Sequence, residues 1–334
     1  MKSRFRLFFA GIALPLAFAW IANGQASDPQ VIRVVCLPAR PLALAAAEAN
    51  GIFAKYGISV QAEVATNSDL LRGGLASGKY MVAHAAVDNE VAMYEAGDTD
   101  VAIVMGGEGS TNELIAQKGI HAIADLRGKV LIVDAPHTAY ALQLKKILMS
   151  NGMQLGRDYE LKPVGSTPVR LQAMRDNKDY AASMLGVPTS ILARADGFVS
   201  LGNTQSLIGP YQGIGAFVKR SWAKNNSALL VKYIAASVEA QRWLMARDNK
   251  QQTTALMEKE WELSPGVAAQ TYATEVEGPG SLESDARFDL DGFKNVLKIR
   301  ADVEGQWQGM PPSPERYFDL TYYDAAVGSI KPGQ

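Results

Sequence analysis

The residues best suited to hold a small polar molecule fall in short clusters, each just past a run of β-branched residues. Thr66, Asn67 and Ser68 lead into Asp69; Pro136, His137 and Thr138 follow Asp134-Ala135; Ser166 and Thr167 stand between Gly165 and Pro168. Small hydroxyl and amide side chains before a helix cap its first turn, and the free N–H groups there, with the helix's partial positive charge, receive an anion. Pro168 suits a first helical turn, where no N–H is needed. Arg40, in Pro38-Ala39-Arg40-Pro41, and Arg170, just after Pro168, carry guanidinium forks that grip a carboxylate or sulfonate through two parallel hydrogen bonds. Each also fits an ordinary solvated surface arginine. Asp88-Asn89 suit an amine or amide, or cap the next helix. Gly186 and Pro188, in Leu185-Gly186-Val187-Pro188, suit an apolar wall.

Catalytic and metal patterns are missing. The sequence has no Gly-x-Ser-x-Gly elbow, no Gly-x-x-x-x-Gly-Lys-Ser/Thr loop, no His-Glu-x-x-His and no Gly-x-Gly-x-x-Gly after a strand. Gly106-Gly107-Glu108-Gly109 lacks the Lys-Ser/Thr of a phosphate loop. His137 is one of three histidines and has no partner at metal-ligand spacing. Cys36 is the single cysteine, so no intramolecular disulfide, four-cysteine zinc site or iron–sulfur cluster can form, and it reads as a small buried hydrophobe on a strand. The expectation is a binding protein that is not an enzyme, with no cofactor and no metal.

The composition fits. Of 334 residues, 48% are hydrophobic and 20% charged, which excludes disordered, collagenous and disulfide-rich classes. With 33 basic against 34 acidic side chains there is no electrostatic footprint for nucleic acid. Lys2, Arg4 and Arg6, an uncharged apolar stretch over 7–22, and the small residues of Gly24-Gln25-Ala26 read as an export signal, residues 1–26, cleaved near Ala26. The apolar stretch is short for a span of ~20 residues. The mature chain is expected to be soluble and periplasmic.

The elements that must position these residues follow an α/β rhythm. Strands are predicted at 31–37, 58–64, 81–85 and 101–105, with helices at 42–54, 69–77 and 90–96, each helix ending near a glycine. Such alternation predicts parallel sheets covered by helices. Three glycines within 106–110, followed by Leu114-Ile115-Ala116, read as a flexible crossing to a second unit. Strands at 130–133, 159–164, 180–184 and 198–201 alternate there with helices at 138–150, 169–177 and 188–195. A second glycine-rich break spans 209–213, and a strand resumes at 214–218. From 222 onward the chain reads as helices, at about 230–244, 251–260, 265–273 and 293–303, expected to pack on the first unit.

Gly51-Ile52-Phe53-Ala54-Lys55-Tyr56-Gly57-Ile58, Asp125-Leu126-Arg127-Gly128-Lys129, Pro136-His137-Thr138-Ala139 and Ser221-Trp222-Ala223-Lys224-Asn225-Asn226 occur in that order over nearly the whole mature chain. In this the sequence resembles the solute-binding proteins of ABC importers, in the group of nitrate, taurine, alkanesulfonate and thiamine-precursor binders. The resemblance implies a two-lobed type II periplasmic-binding fold with two crossings. One lobe would comprise 27–108 and 215–334, the other 109–214. It also implies a monomer that closes on a small organic ligand and hands it to a membrane permease and its ATPase. Arg40 stands where related proteins place ligand contacts. A sulfonate or carboxylate is the first expectation and a pyrimidine-like heteroaromatic the next. A periplasmic sensor partner and an enzyme on the same fold remain as alternatives. The fungal thiamine-pyrimidine synthases of this fold carry a cysteine-rich motif, which a single Cys36 excludes.

Overall fold

The computed structural model describes residues 29–278 and 281–330. The expected export signal lies outside the described residues. Among those described, no helix is long and apolar enough to cross a membrane.

Three βα steps and a fourth strand open the chain: β1 (Gln30–Cys36), α1 (Leu42–Ala49), α2 (Ile52–Lys55), β2 (Ile58–Val64), α3 (Ser68–Ala76), β3 (Val82–Ala86), α4 (Asp88–Glu95) and β4 (Val101–Met105). Val34 to Cys36 and all of β4 are buried, the continuous apolar runs expected of strands covered on both faces. β1 pairs in parallel with β2 and β3. The chain leaves through 106–112 and enters a second sheet with β5 (Glu113–Ala116). The sequence reading puts Leu114-Ile115-Ala116 in the crossing; they form instead a fully buried strand, antiparallel to both its neighbours. Its four residues are too few for a periodic signal. β6 (Lys129–Val133), α5 (Ala139–Ser150), β7 (Tyr159–Pro163), α6 (Thr167–Asp176), β8 (Tyr180–Leu185), α7 (Thr189–Ala195), β9 (Val199–Asn203) and α8 (Thr204–Ile208) complete the second unit. β10 (Ile214–Lys219) then returns and inserts between β3 and β4.

The two sheets share one plan, β2-β1-β3-β10-β4 and β7-β6-β8-β5-β9, with the strand arriving from the other sheet fourth in each. The expectation of parallel sheets is corrected at these two strands. Both start at the crossings, which lie beyond the carboxyl ends of the parallel strands, so both must run the opposite way. The crossings themselves are packed backbone on backbone. Gly213 N donates to Glu108 O at 3.1 Å, and Glu108 N to Ile214 O at 3.3 Å. A Cβ on Gly213 would overlap the Gly109 carbonyl oxygen, and one on Gly106 that of Arg287. These glycines permit close approach, where the sequence suggested looseness.

The tail supplies α9 (Arg220–Asn225), α10 (Ser227–Met245), α11 (Lys250–Trp261), α12 (Pro265–Glu275), α13 (Leu290–Glu304) and α14 (Thr321–Ser329), the last not foreseen from sequence. Leu230, Ile234 and Val238 of α10 are fully buried in the core shared with α1 and α14. The tail does not pack on the first sheet alone. α13 buries Phe293, Val296, Leu297 and Ile299 beside β1 and β4, yet its acidic end faces α5 of the second unit. There Lys145 Nζ donates to Glu304 Oε1 at 2.7 Å and Lys146 Nζ to Asp302 Oδ2 at 2.8 Å.

Candidate functional site

Where the carboxyl ends of the two sets of parallel strands face each other, three connected cavities form a cleft, and Pro38 and Tyr140 line all three. Its mouth encloses about 250 Å³, a middle section about 50 Å³, and an inner chamber about 110 Å³. A broader groove of about 920 Å³, lined by Lys118, Lys129, Lys162 and Lys178, lies at the opposite end of the second sheet. It lacks the converging strand ends that supply backbone donors.

The mouth gathers most of the residues expected from sequence. Thr66, Asn67 and Ser68 come from the first sheet's side, and Pro136, His137, Thr138, Ser166, Thr167 and Arg170 from the second. These are the starts of α3, α5 and α6, so three helix N-termini converge on one opening. Asn67 Oδ1 accepts from Leu70 N at 2.9 Å and caps α3, while Thr138 Oγ1 donates to Asp134 Oδ1 at 2.6 Å. His137 is largely exposed at the rim, its Nδ1 2.5 Å from Glu304 Oε2.

Arg170 is no surface residue: it is 0% exposed. Its Nε donates to Ser183 Oγ at 2.9 Å, Nη1 to Gly165 O at 2.6 Å and Nη2 to Met184 O at 2.9 Å. The guanidinium lies 4.9 Å from the Tyr140 ring centroid and 4.0 Å from Asp134. It therefore braces the mouth from behind. Burial pushes the Asp134 carboxyl above the ordinary carboxylate range, with Arg170 opposing.

Pro38, Arg40 and Gly186 line the inner chamber. Arg40 is not free to grip an anion with its fork. It binds Glu48, lies 3.5 Å from Glu260 Oε2 and donates to Leu44 O at 3.3 Å, while its buried Nε has no partner. Pro188 precedes α7 outside the cleft, and Val187 takes the wall position beside Gly186. Asn89 lines the middle section, donates to Ala86 O and accepts from Arg72. Asp88 is corrected more firmly. It is 2% exposed and lies outside the cleft lining, with Arg300 Nε on Oδ1 at 2.6 Å and Nη2 on Oδ2 at 2.9 Å. Buried against Arg300 and away from the cleft, this carboxylate is out of a ligand amine's reach.

Sequence reasoning missed Glu108, Thr111, Asn112, Tyr140, Gln241, Trp261 and Glu275, all in the chamber wall. Glu108 sits in the glycine-rich crossing that drew attention only as a joint. Trp261 and Glu275 belong to the helical tail and carry no local signal. Thr111 Oγ1 donates to Glu275 Oε1 at 2.8 Å. Burial pushes the Glu275 carboxyl up to about 7, and burial with the neighbouring Glu275 raises that of Glu108 well above its usual value. Burial holds the His84 imidazole down near 4; its Nε2 is 2.7 Å from Tyr233 Oη. Among the described residues no cluster of three or more His, Cys, Asp or Glu is placed to hold a metal ion.

A family model described as NMT1/THI5 like matches residues 41–250. No curated protein matches the chain in sequence. Among solved structures, the periplasmic nitrate-binding protein NrtA from Synechocystis PCC 6803 is similar with a TM-score of 0.73 at 15% identity, over 91% of this chain and 90% of that one. The alkanesulfonate-binding protein SsuA from Xanthomonas axonopodis pv. citri, bound to MOPS, gives 0.69 at 16% identity, over 89% and 98%. The desulfurization enzyme DSZB gives 0.61 at 13% identity, over 90% and 99%. At these identities the likeness is one of fold.

Proposed function

The chain belongs to the NMT1/THI5-like family, and from that premise we propose that it is an exported, non-enzymatic receptor that captures a small organic solute between two lobes and delivers it to an ABC permease. The observation that carries this reading is the cleft, whose walls come from both sheets while two crossings join them. In this proposal residues 27–108 with 215–334 form one lobe and 109–214 the other, acting as a periplasmic monomer. Closure about the crossings excludes water and completes a surface for the permease, provided the ligand binds the closed form more tightly than the open one. Likeness to periplasmic nitrate- and sulfonate-binding proteins supports that role.

The ligand's acceptor end, a sulfonate or carboxylate by preference, would lie in the mouth. There Thr66, Ser68, Thr138, Ser166 and Thr167 present hydroxyls beside three helix N-termini. A flat heteroaromatic against Tyr140 and Trp261 is the next reading. Against an enzyme stands the state of Cys36 and His84, register partners on β1 and β3. Burial pushes the thiol up to about 12 and the imidazole down to about 4. A thiolate–imidazolium pair needs the reverse shifts.

The test is a thermal-shift screen over sulfonates, carboxylates, amines and pyrimidines, with small-angle scattering on the hits. A ligand at a hundred times its Kd adds about 2.7 kcal/mol, and capture should compact the particle. A screen with no stabilising compound would overturn the receptor reading, and turnover of a bound compound would convert it to an enzyme.

A further inference from the structure

Resting on the receptor reading above, we propose that the inner chamber is a site for a positively charged nitrogen, so that the ligand is a small organic cation or leads with an ammonium group. Glu108, on the first crossing, and Glu275, in the last turn of α12, line the same chamber of about 110 Å³. Leu42, Met105, Met257, Trp261 and Leu282 give that chamber an apolar wall. Glu275 is 6% exposed and accepts a single hydrogen bond, on Oε1 from Thr111. Among the described residues its Oε2 and both carboxyl oxygens of Glu108 have no partner.

Nothing in the wall balances the pair. Among the described residues Arg40 is the one lysine or arginine lining the chamber; Glu48 and Glu260 take its two Nη groups, and one buried N–H, on Nε, is left over. His84 is buried against Tyr233 and neutral at neutral pH. Two unpaired carboxyls in an apolar enclosure are costly when charged, and each retains proton affinity for want of a counter-ion. An ammonium supplies that counter-ion and donates N–H to both carboxylates in charge-assisted hydrogen bonds. An anionic head in the chamber would instead face two carboxyl groups. The chamber has room for a few heavy atoms, enough for an ammonium and the methylenes behind it.

The site also reaches the joint. The Glu108 N–H donates to Ile214 O, and its carbonyl accepts from Gly213 N and from Gln212 Nε2 at 3.0 Å. A cation bound to this side chain therefore bears directly on the residue that knits the two crossings together. An acceptor group on the ligand's far end would remain in the mouth with the helix N-termini, so the two readings concern opposite ends of one molecule.

The test uses matched compounds in calorimetry with the full chain: 4-aminobutyrate against butyrate, 3-aminopropanesulfonate against propanesulfonate, and butylamine alone. The amine member of at least one pair, or butylamine, is expected to bind about tenfold or more tightly than its amine-free counterpart. Glu275→Gln and Glu108→Gln are each expected to abolish that preference while circular dichroism stays that of the parent and the melting temperature does not drop. Equal or tighter binding of the amine-free member, or a preference that survives both substitutions, overturns the proposal. So does binding of a sulfonate, carboxylate or neutral pyrimidine in a screen where no amine binds, an outcome that leaves the receptor reading standing. If no small molecule of any class binds, the receptor reading falls with it.

Discussion

Asp88 and Arg300 are each about 3% exposed at the side chain and hold each other through two charge-assisted hydrogen bonds. A buried pair of this kind gains little over two well-packed apolar residues, but breaking it leaves a stranded charge. Asp88→Ala is therefore expected to lower unfolding stability by about 3 to 5 kcal/mol in urea titrations, with ligand affinity unchanged in whatever fraction stays folded. A selective loss of affinity with stability intact would return Asp88 to the binding site. Arg40 behaves oppositely. Its side chain is 26% exposed and its partners Glu48 and Glu260 are 64% and 21% exposed, so Arg40→Ala should cost no more than about 1 kcal/mol. Its fork is already occupied, so affinity for an anionic ligand should shift only a few-fold by calorimetry. A hundredfold loss would mean that the guanidinium leaves its glutamates for the ligand. Cys36, fully buried with its thiol pushed up to about 12, should resist iodoacetamide in the native protein and react only on unfolding.

At the scale of elements, the first crossing and α8 are tied to α5 through one side chain. Gln143 is 1% exposed. It accepts at Oε1 from Asn112 Nδ2 at 3.0 Å and from Thr204 Oγ1 at 3.1 Å, and donates from Nε2 to Ser110 Oγ at 3.3 Å. Ser110 and Asn112 belong to the first crossing, and Thr204 opens α8, the helix that leads into the second. Gln143→Leu keeps much of the volume but takes the one partner from Asn112 Nδ2, while the Ser110 and Thr204 hydroxyls keep the bond between them at 3.2 Å. An unsatisfied polar group costs about 1 to 3 kcal/mol, so a loss of that order is expected, read from the urea midpoint. A substitution that changes stability by less than 1 kcal/mol would show that water replaces the amide. Nothing in the sequence marked Gln143, because its partners come from segments 33 and 61 residues away. The βα steps were legible because β-branched runs and glycine stops are local signals, and so were Ser166 and Thr167, which any helix start displays. β5 and α14 were not, being short and fixed by the strands and helices they meet. Glu275 reached the cleft through the packing of α12 against α11 and α7.

The whole molecule carries its buried ionisable groups in opposition, and this sets how its stability responds to pH. Glu275 has a carboxyl raised to about 7 from an ordinary 4.5. The folded state binds its proton more tightly than the unfolded chain, so its contribution is fully present below about 4.5 and is lost as pH rises through 7. Glu108 and Glu90, buried and raised well above the usual range, extend the same loss to higher pH. His84 has the opposite sign. Its imidazole is lowered from 6.5 to about 4, so its contribution is fully present above 6.5 and is lost as pH falls through 4. Between 4.5 and 6.5 His84 opposes three carboxyls, so the melting temperature should already begin to fall as pH rises. Above 6.5 only the carboxyls act, and the melting temperature of the ligand-free protein should fall steadily to pH 8. Glu275→Gln should remove the part of that fall centred near 7 and leave the acid branch, to which His84 contributes, unaltered. Melting that rises from pH 6.5 to 8, or a fall that Glu275→Gln leaves in place, would show that the chamber carboxyls are already balanced in the empty protein.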